Sequence, residues 1–148
     1  MAVVIALLRA VNLGGHNLIK MEVLRRLCDS LGCEHVQAHI TRCVPELRDI
    51  VNRNPFASRK SLDPKKLLVL FLAAEPAPEC CDRLSAMNTQ PEEVQLSKRE
   101  VYMYFPNGMG RPKTSAAAIE KVLKVPGTGR NWKVVNDLLA IGEKPEAN

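Results

Sequence analysis

The apolar positions of the chain fall into short blocks, and their spacing predicts most of its elements. Val3 to Leu8 is an unbroken apolar run ending at Arg9, the pattern of a strand covered on both faces. From Lys20 to Leu31 the residues Met21, Leu24, Leu27, Cys28 and Leu31 recur at helical spacing, and Gly32 follows as a C-terminal cap. His35 to Thr41 reads as a short strand. Pro45 to Val51 reads as a helix with a proline in its first turn and Leu47, Ile50 and Val51 on one side, stopped by Asn54-Pro55-Phe56. Residues 57–66 are polar and basic, a loop, and Leu67 to Leu72 is a second fully apolar run, hence a second buried strand.

Beyond Pro76 and Pro78, the stretch Glu79 to Met87 predicts a helix with Cys80, Leu84 and Met87 inward. Val94 to Leu96 and Val101 to Phe105 predict two strands joined by a turn at Ser97-Lys98-Arg99, an antiparallel hairpin. Alternation in the second strand sets Val101, Met103 and Phe105 on one face and Tyr102 and Tyr104 on the other. After a turn at Pro106-Asn107-Gly108-Met109-Gly110, a helix is predicted from Lys113 to Leu123 with Ala116, Ile119, Val122 and Leu123 buried. Another follows from Asn131 to about Ile141 with Trp132, Val135, Leu138 and Leu139 as its stripe, and residues 143–148 form a tail. The element order predicts an α+β fold, a mixed sheet of the split β-α-β type with helices, rather than a doubly wound nucleotide fold.

Composition narrows the class. With 148 residues, 46% hydrophobic and 25% charged, the chain has the balance of one globular domain and not that of a disordered, collagen-like or disulfide-scaffold protein. The apolar run Ala2 to Leu8 is too short to span a bilayer and has no basic segment before it, so a cytoplasmic protein with no membrane partner is expected. Five cysteines cannot all pair within one chain, and reduced thiols are the expectation. Cys33, His35, His39 and Cys43 lack the Cys-x-x-Cys knuckle of a structural zinc site and read as strand positions, so no metal is expected. Gly14-Gly15-His16-Asn17-Leu18-Ile19-Lys20 lacks the G-x-x-x-x-G-K-[ST] order that wraps phosphates, and no cofactor is expected.

Charge adds the first functional hint. The net charge is +5, and residues 1–97 hold 12 cationic against 11 anionic side chains, whereas residues 98–133 hold eight against two. Lys98, Arg99, Arg111, Lys113, Lys121, Lys124, Arg130 and Lys133 are those eight. Such a stretch is either a solvated basic face or an anion site, because clustered cations raise the local potential for phosphates and carboxylates.

Four segments, in order, resemble the bacterial domain-of-unknown-function family 1697. Arg9-Ala10-Val11-Asn12-Leu13-Gly14-Gly15-His16-Asn17, followed by Lys20-Met21, Leu24 and Gly32, is similar to its opening, and Asn54-Pro55-Phe56 is similar to its Asn-Pro-Phe element. Glu100-Val101-Tyr102 through Gly110-Arg111-Pro112-Lys113 is similar to its hairpin and Gly-Arg-Ser-Lys turn, and Thr128-Gly129-Arg130-Asn131-Trp132 to its Thr-x-Arg-Asn-Trp helix start. The resemblance implies a fold of two ferredoxin-like halves and no known activity. Against it, roughly 30 to 40 residues are missing after about Gln37, more than loop variation accounts for. The first half, residues 1–44, would therefore be shortened beside a second, residues 45–142, within a single domain 1–148. Pro112 stands where relatives carry Ser.

The resemblance draws attention to Arg9, Asn12, Gly14, Gly15, Lys20, Gly108, Gly110, Arg111, Lys113, Arg130 and Asn131 as candidate ligand-binding residues. Gly108 and Gly110 let backbone amides approach a ligand, and Lys113 and Arg130 are expected at the first turns of two helices, where amides are unpaired. Together these residues suggest a site for a small phosphate or carboxylate ligand; the alternative is that Arg130 and Asn131 cap the last helix. His16 is the only candidate general base, and catalytic residues are otherwise unassigned. Two rival readings stand beside the anion site. One is a single-stranded nucleic-acid module stacking bases on Tyr102 and Tyr104; the other is a shortened relative without retained activity.

Overall fold

The computed structural model describes residues 4–7, 23, 26, 30 and 40–144. Six strands and four α-helices are described in full. Strand β1 (Val4–Leu7) pairs antiparallel with β2 (Ile40–Cys43) in a two-stranded sheet. Helix α1 (Val44–Asn52) follows directly, and a short 3-10 turn at Pro64–Lys66 leads into β3 (Leu67–Leu72). Then come α2 (Pro78–Ala86), β4 (Glu93–Ser97), β5 (Glu100–Tyr104), α3 (Ala116–Leu123), β6 (Gly127–Asn131) and α4 (Trp132–Gly142). The predicted helix at Lys20 to Leu31 lies largely outside the described residues; Val23, Arg26 and Ser30 are helical.

Strands β3 to β6 form one sheet in the order β4-β5-β3-β6. The α+β class holds, but the sheet is antiparallel at every pairing rather than mixed. The reason lies in the crossovers. Strands β3 and β4, joined through α2, run parallel, yet β5 inserts between them; β5 and β6, joined through α3, have β3 between them. No parallel pair is left to hydrogen-bond, which is the split β-α-β arrangement.

The sheet buries both faces. Leu70, Leu72, Val101, Met103 and Phe105 meet Cys80 and Leu84 of α2 and Ile119 and Leu123 of α3 on one side. On the other, Leu67, Val69, Phe71, Tyr102 and Tyr104 meet Leu47 and Ile50 of α1, Val135 of α4, and Leu7 and Ile40 of the two-stranded sheet. Two-sided burial explains why β3 reads as a continuous apolar run, with Leu67, Val69, Phe71 and Leu72 fully buried. The run around β1 has a different outcome: Ala6 is exposed, because β1 belongs to a two-stranded sheet with one face on the core.

Strand β6 was not foreshadowed by the apolar pattern, since Gly-Thr-Gly-Arg-Asn carries no strand-favouring run. Packing selects glycine here. A Cβ at Gly127 would lie 2.9 Å from Leu70 Cδ1 and 3.0 Å from the Phe71 carbonyl oxygen, so β3 approaches too closely for any larger residue without a shift. Helix α3 begins three residues later than its pattern suggests, because Ser115 takes the N-cap position and accepts from the Ala118 amide at 3.2 Å.

Candidate functional site

The basic stretch 98–133 divides in the structure into two ends of the sheet. At one end lies the turn between β4 and β5. Arg42 on β2 and Glu100 on β5 are 2% and 3% exposed and form an ion pair, Nε to Oε1, at 2.8 Å. Arg42 also donates to the carbonyls of Thr41 at 2.8 Å and Leu72 at 3.0 Å. Arg53, just after α1, donates to Glu100 Oε2 at 3.0 Å, to Asp49 at 2.7 Å and to Ser97 Oγ at 2.6 Å. Burial works against the Arg53 charge, but the bonds to Glu100 and Asp49 outweigh it and raise its pKa. Lys98 pairs with Asp49, and Arg99 with Glu46. All of these side chains except Ser97, together with Ile50, line a cavity of about 110 Å³. Two cations of the basic stretch are thus tied to acids on α1.

At the opposite end lies the turn 106–113. Gly108 has φ +86°, a left-handed conformation that favours glycine, and the space around Gly108 and Gly110 is open. Arg111 and Lys113 are exposed, and among the described residues neither side chain makes an ion pair or hydrogen bond. Lys113 does not occupy the first turn of a helix as expected; it precedes the Ser115 cap. The backbone amides of this turn are engaged from within. Lys113 N donates to Glu92 Oε1 at 3.3 Å and Thr114 N to Glu92 Oε2 at 2.9 Å, and Glu92 is 3% exposed.

Arg130 and Asn131 are elsewhere. Arg130 lies within β6 opposite Val69, not in a helical turn, and donates to Thr128 Oγ1 at 2.8 Å and to the Gly129 carbonyl at 2.7 Å. Burial lowers its pKa. Asn131 is the N-cap of α4, its Oδ1 accepting from Val134 N at 2.9 Å, which is the structural role the sequence allowed. Strands β4 and β6 are the two edges of the sheet. Three interstrand steps separate them, about 14 Å, and Glu92 immediately precedes β4 whereas Arg130 and Asn131 close β6. Arg9, Asn12, Gly14, Gly15, His16 and Lys20 lie outside the described residues, as do Cys33, His35 and His39.

Three features were missed by sequence reasoning. Arg42 and Glu100 carry a legible signal: Arg42 shares a strand face with buried Ile40, and Glu100 with Tyr102 and Tyr104, so each is a charge on an apolar face and needs a partner. Glu92 carries none, because its burial depends on a turn 21 residues away. The tyrosines are settled in the core. Tyr102 is fully buried, its hydroxyl donates to the Ile50 carbonyl at 2.6 Å, and burial raises its pKa. Tyr104 packs 5.9 Å from Phe56, centroid to centroid, with the Arg59 guanidinium over both rings. Neither offers a face to a stacked base.

Fold and site define a small α+β protein with one free basic turn and one locked charged turn at opposite ends of its sheet. The chain belongs to the family described as protein of unknown function (DUF1697), whose model matches residues 1–43 and 40–102. The two matched segments overlap on β2, where the sequence places the missing stretch. No curated protein and no solved structure matches the chain.

Proposed function

We propose that the protein binds a small ligand bearing a phosphate or carboxylate at the turn 106–113, through the side chains of Arg111 and Lys113. One observation carries this reading: the two cations are exposed and among the described residues have no acidic partner, whereas Lys98, Arg99 and Lys133 of the same basic stretch are paired with Asp49, Glu46 and Asp137. Free cations beside a glycine-opened backbone attract an anion without first breaking an internal pair. The proposal centres on Arg111 and Lys113 because Arg130 is bonded to Thr128 and the Gly129 carbonyl and Asn131 caps α4. Calorimetric titration with inorganic phosphate tests it. Binding that falls at least about tenfold in the Arg111→Ala, Lys113→Ala double variant is expected; equal binding by variant and wild type would sink the proposal.

We further infer a two-part architecture behind this site. The strand order β4-β5-β3-β6 supports a ferredoxin-like second half, and the two-part family match supports a first half shortened at β2. Among the described residues no helix is long and apolar enough to cross a membrane. Cys43, Cys80 and Cys81 are free thiols, in keeping with a reducing, cytoplasmic setting.

A further inference from the structure

The amides of the basic turn already hold an anion, and it is the protein's own. Glu92 is 3% exposed, and no Lys or Arg of the described residues forms an ion pair with it. Its carboxylate is held by the Lys113 and Thr114 amides at 3.3 and 2.9 Å. Two further bonds tie the segments around it: Thr114 Oγ1 donates to the Thr89 carbonyl and Thr89 Oγ1 to the Glu92 carbonyl, each at 3.0 Å. The amide pair is separate from the start of α3, which Ser115 caps on its own. A carboxylate this deeply buried persists only where oriented donors replace water. Two successive amides, one on each oxygen of the carboxylate, supply them, as in backbone anion nests.

We propose that Glu92 is a built-in occupant of an anion nest formed by the Lys113 and Thr114 amides, and that it sets the specificity of the ligand turn. This rests on the reading of Arg111 and Lys113 as the ligand-binding side chains. With Glu92 in place an external anion meets the side chains alone, and the resident negative charge opposes it. With Glu92 removed, a phosphate reaches both the amides and the flanking cations. Glu92 is thus a positioning residue: it holds the turn in shape and keeps tightly chelated oxyanions out.

Glu92→Ala, titrated with inorganic phosphate beside the wild type, tests the inference. Affinity at least about tenfold above that of the wild type is expected, with part of the gain retained when Arg111 and Lys113 are also alanine, because the amides remain. A merely structural staple predicts the reverse, a loosened turn and unchanged or weaker binding, and that result overturns the proposal. If wild type does not bind phosphate while Glu92→Ala does, the side-chain reading of the native ligand fails and the nest stands. If wild type binds and Glu92→Ala gains nothing, the nest fails and the side-chain reading stands. Should the alanine variant not fold, Glu92→Gln takes its place, since its carboxamide sets an N–H against one of the two amide donors; a gain in the same direction of about threefold is then expected, and no gain overturns the proposal.

Discussion

The two ends of the β4-β5 hairpin use the same residue types to opposite effect. At the Lys98-Arg99 turn every cation meets a carboxylate, and the central pair, Arg42 with Glu100, is almost wholly removed from water. At the Arg111-Lys113 turn the cations stand in solvent while the buried carboxylate, Glu92, is held by amides instead. Net charge along the chain does not distinguish these ends, since both fall in the one basic stretch. The difference lies in which elements the fold brings alongside. Helix α1 delivers Glu46 and Asp49 to the first turn, whereas among the described residues no acidic side chain pairs with Arg111 or Lys113.

The locked end also shows how the two sheets stay together. Arg42 comes from the two-stranded sheet and Glu100 from the four-stranded one, and Arg53 joins the same carboxylate. Breaking this link is expected to have the largest effect on the molecule. Glu100→Ala leaves Arg42 buried without its counter-charge, and a loss of about 3–5 kcal/mol is expected in urea unfolding. Wild type is expected to unfold in a single transition, since both sheets share one apolar core. A loss below about 1 kcal/mol would show that the contrast between a locked and a free end is only one of appearance.

A smaller effect is expected from Glu46, which holds the start of α1. Its Oε2 accepts from the Cys43 amide at 2.8 Å, and this bond chiefly lowers its pKa below the ordinary 4.5, with Arg99 adding to it. Because the folded value is the lower one, the stabilisation is fully present above pH 4.5 and is lost as pH falls through the folded value. Glu46→Ala is therefore expected to cost about 0.5–1 kcal/mol at pH 7, the usual worth of an exposed cap interaction, and less as the solution is acidified. Thermal melts of both proteins from pH 7 downward check this; a gap that stays constant would remove Glu46 from the locked end.

How much of this was legible follows from the range of each interaction. Strand β3 could be read within one residue of its ends because its apolar run is a local consequence of two-sided burial. The assignment of Val101, Met103 and Phe105 to one core and Tyr102 and Tyr104 to the other needed only alternation. Strand β6 was hidden because its glycines answer to Leu70 and Phe71 across the sheet, not to their chain neighbours. For the site, Asn131 as a cap was a local reading and holds, while placing Arg130 in the first turn of a helix failed because β6, which carries it, is set by pairing with β3 rather than by its own pattern. Glu92 was out of reach for the same reason, its donors lying on another segment.

The smallest effect on stability is expected where the functional consequence is greatest. Arg111 and Lys113 bury little and pair with nothing described, so replacing both with alanine is expected to change unfolding free energy by less than about 0.5 kcal/mol. Such a variant separates the two roles of charge in this protein. A residue kept for the fold shows its worth in a melt, as Glu100 is expected to, whereas a residue kept for a ligand is silent there and shows its worth only in titration. Urea unfolding of the Arg111→Ala, Lys113→Ala variant beside that of Glu100→Ala makes the comparison directly. Comparable losses in the two would mean that both turns serve the fold, and the basic turn would then have no special claim to a ligand.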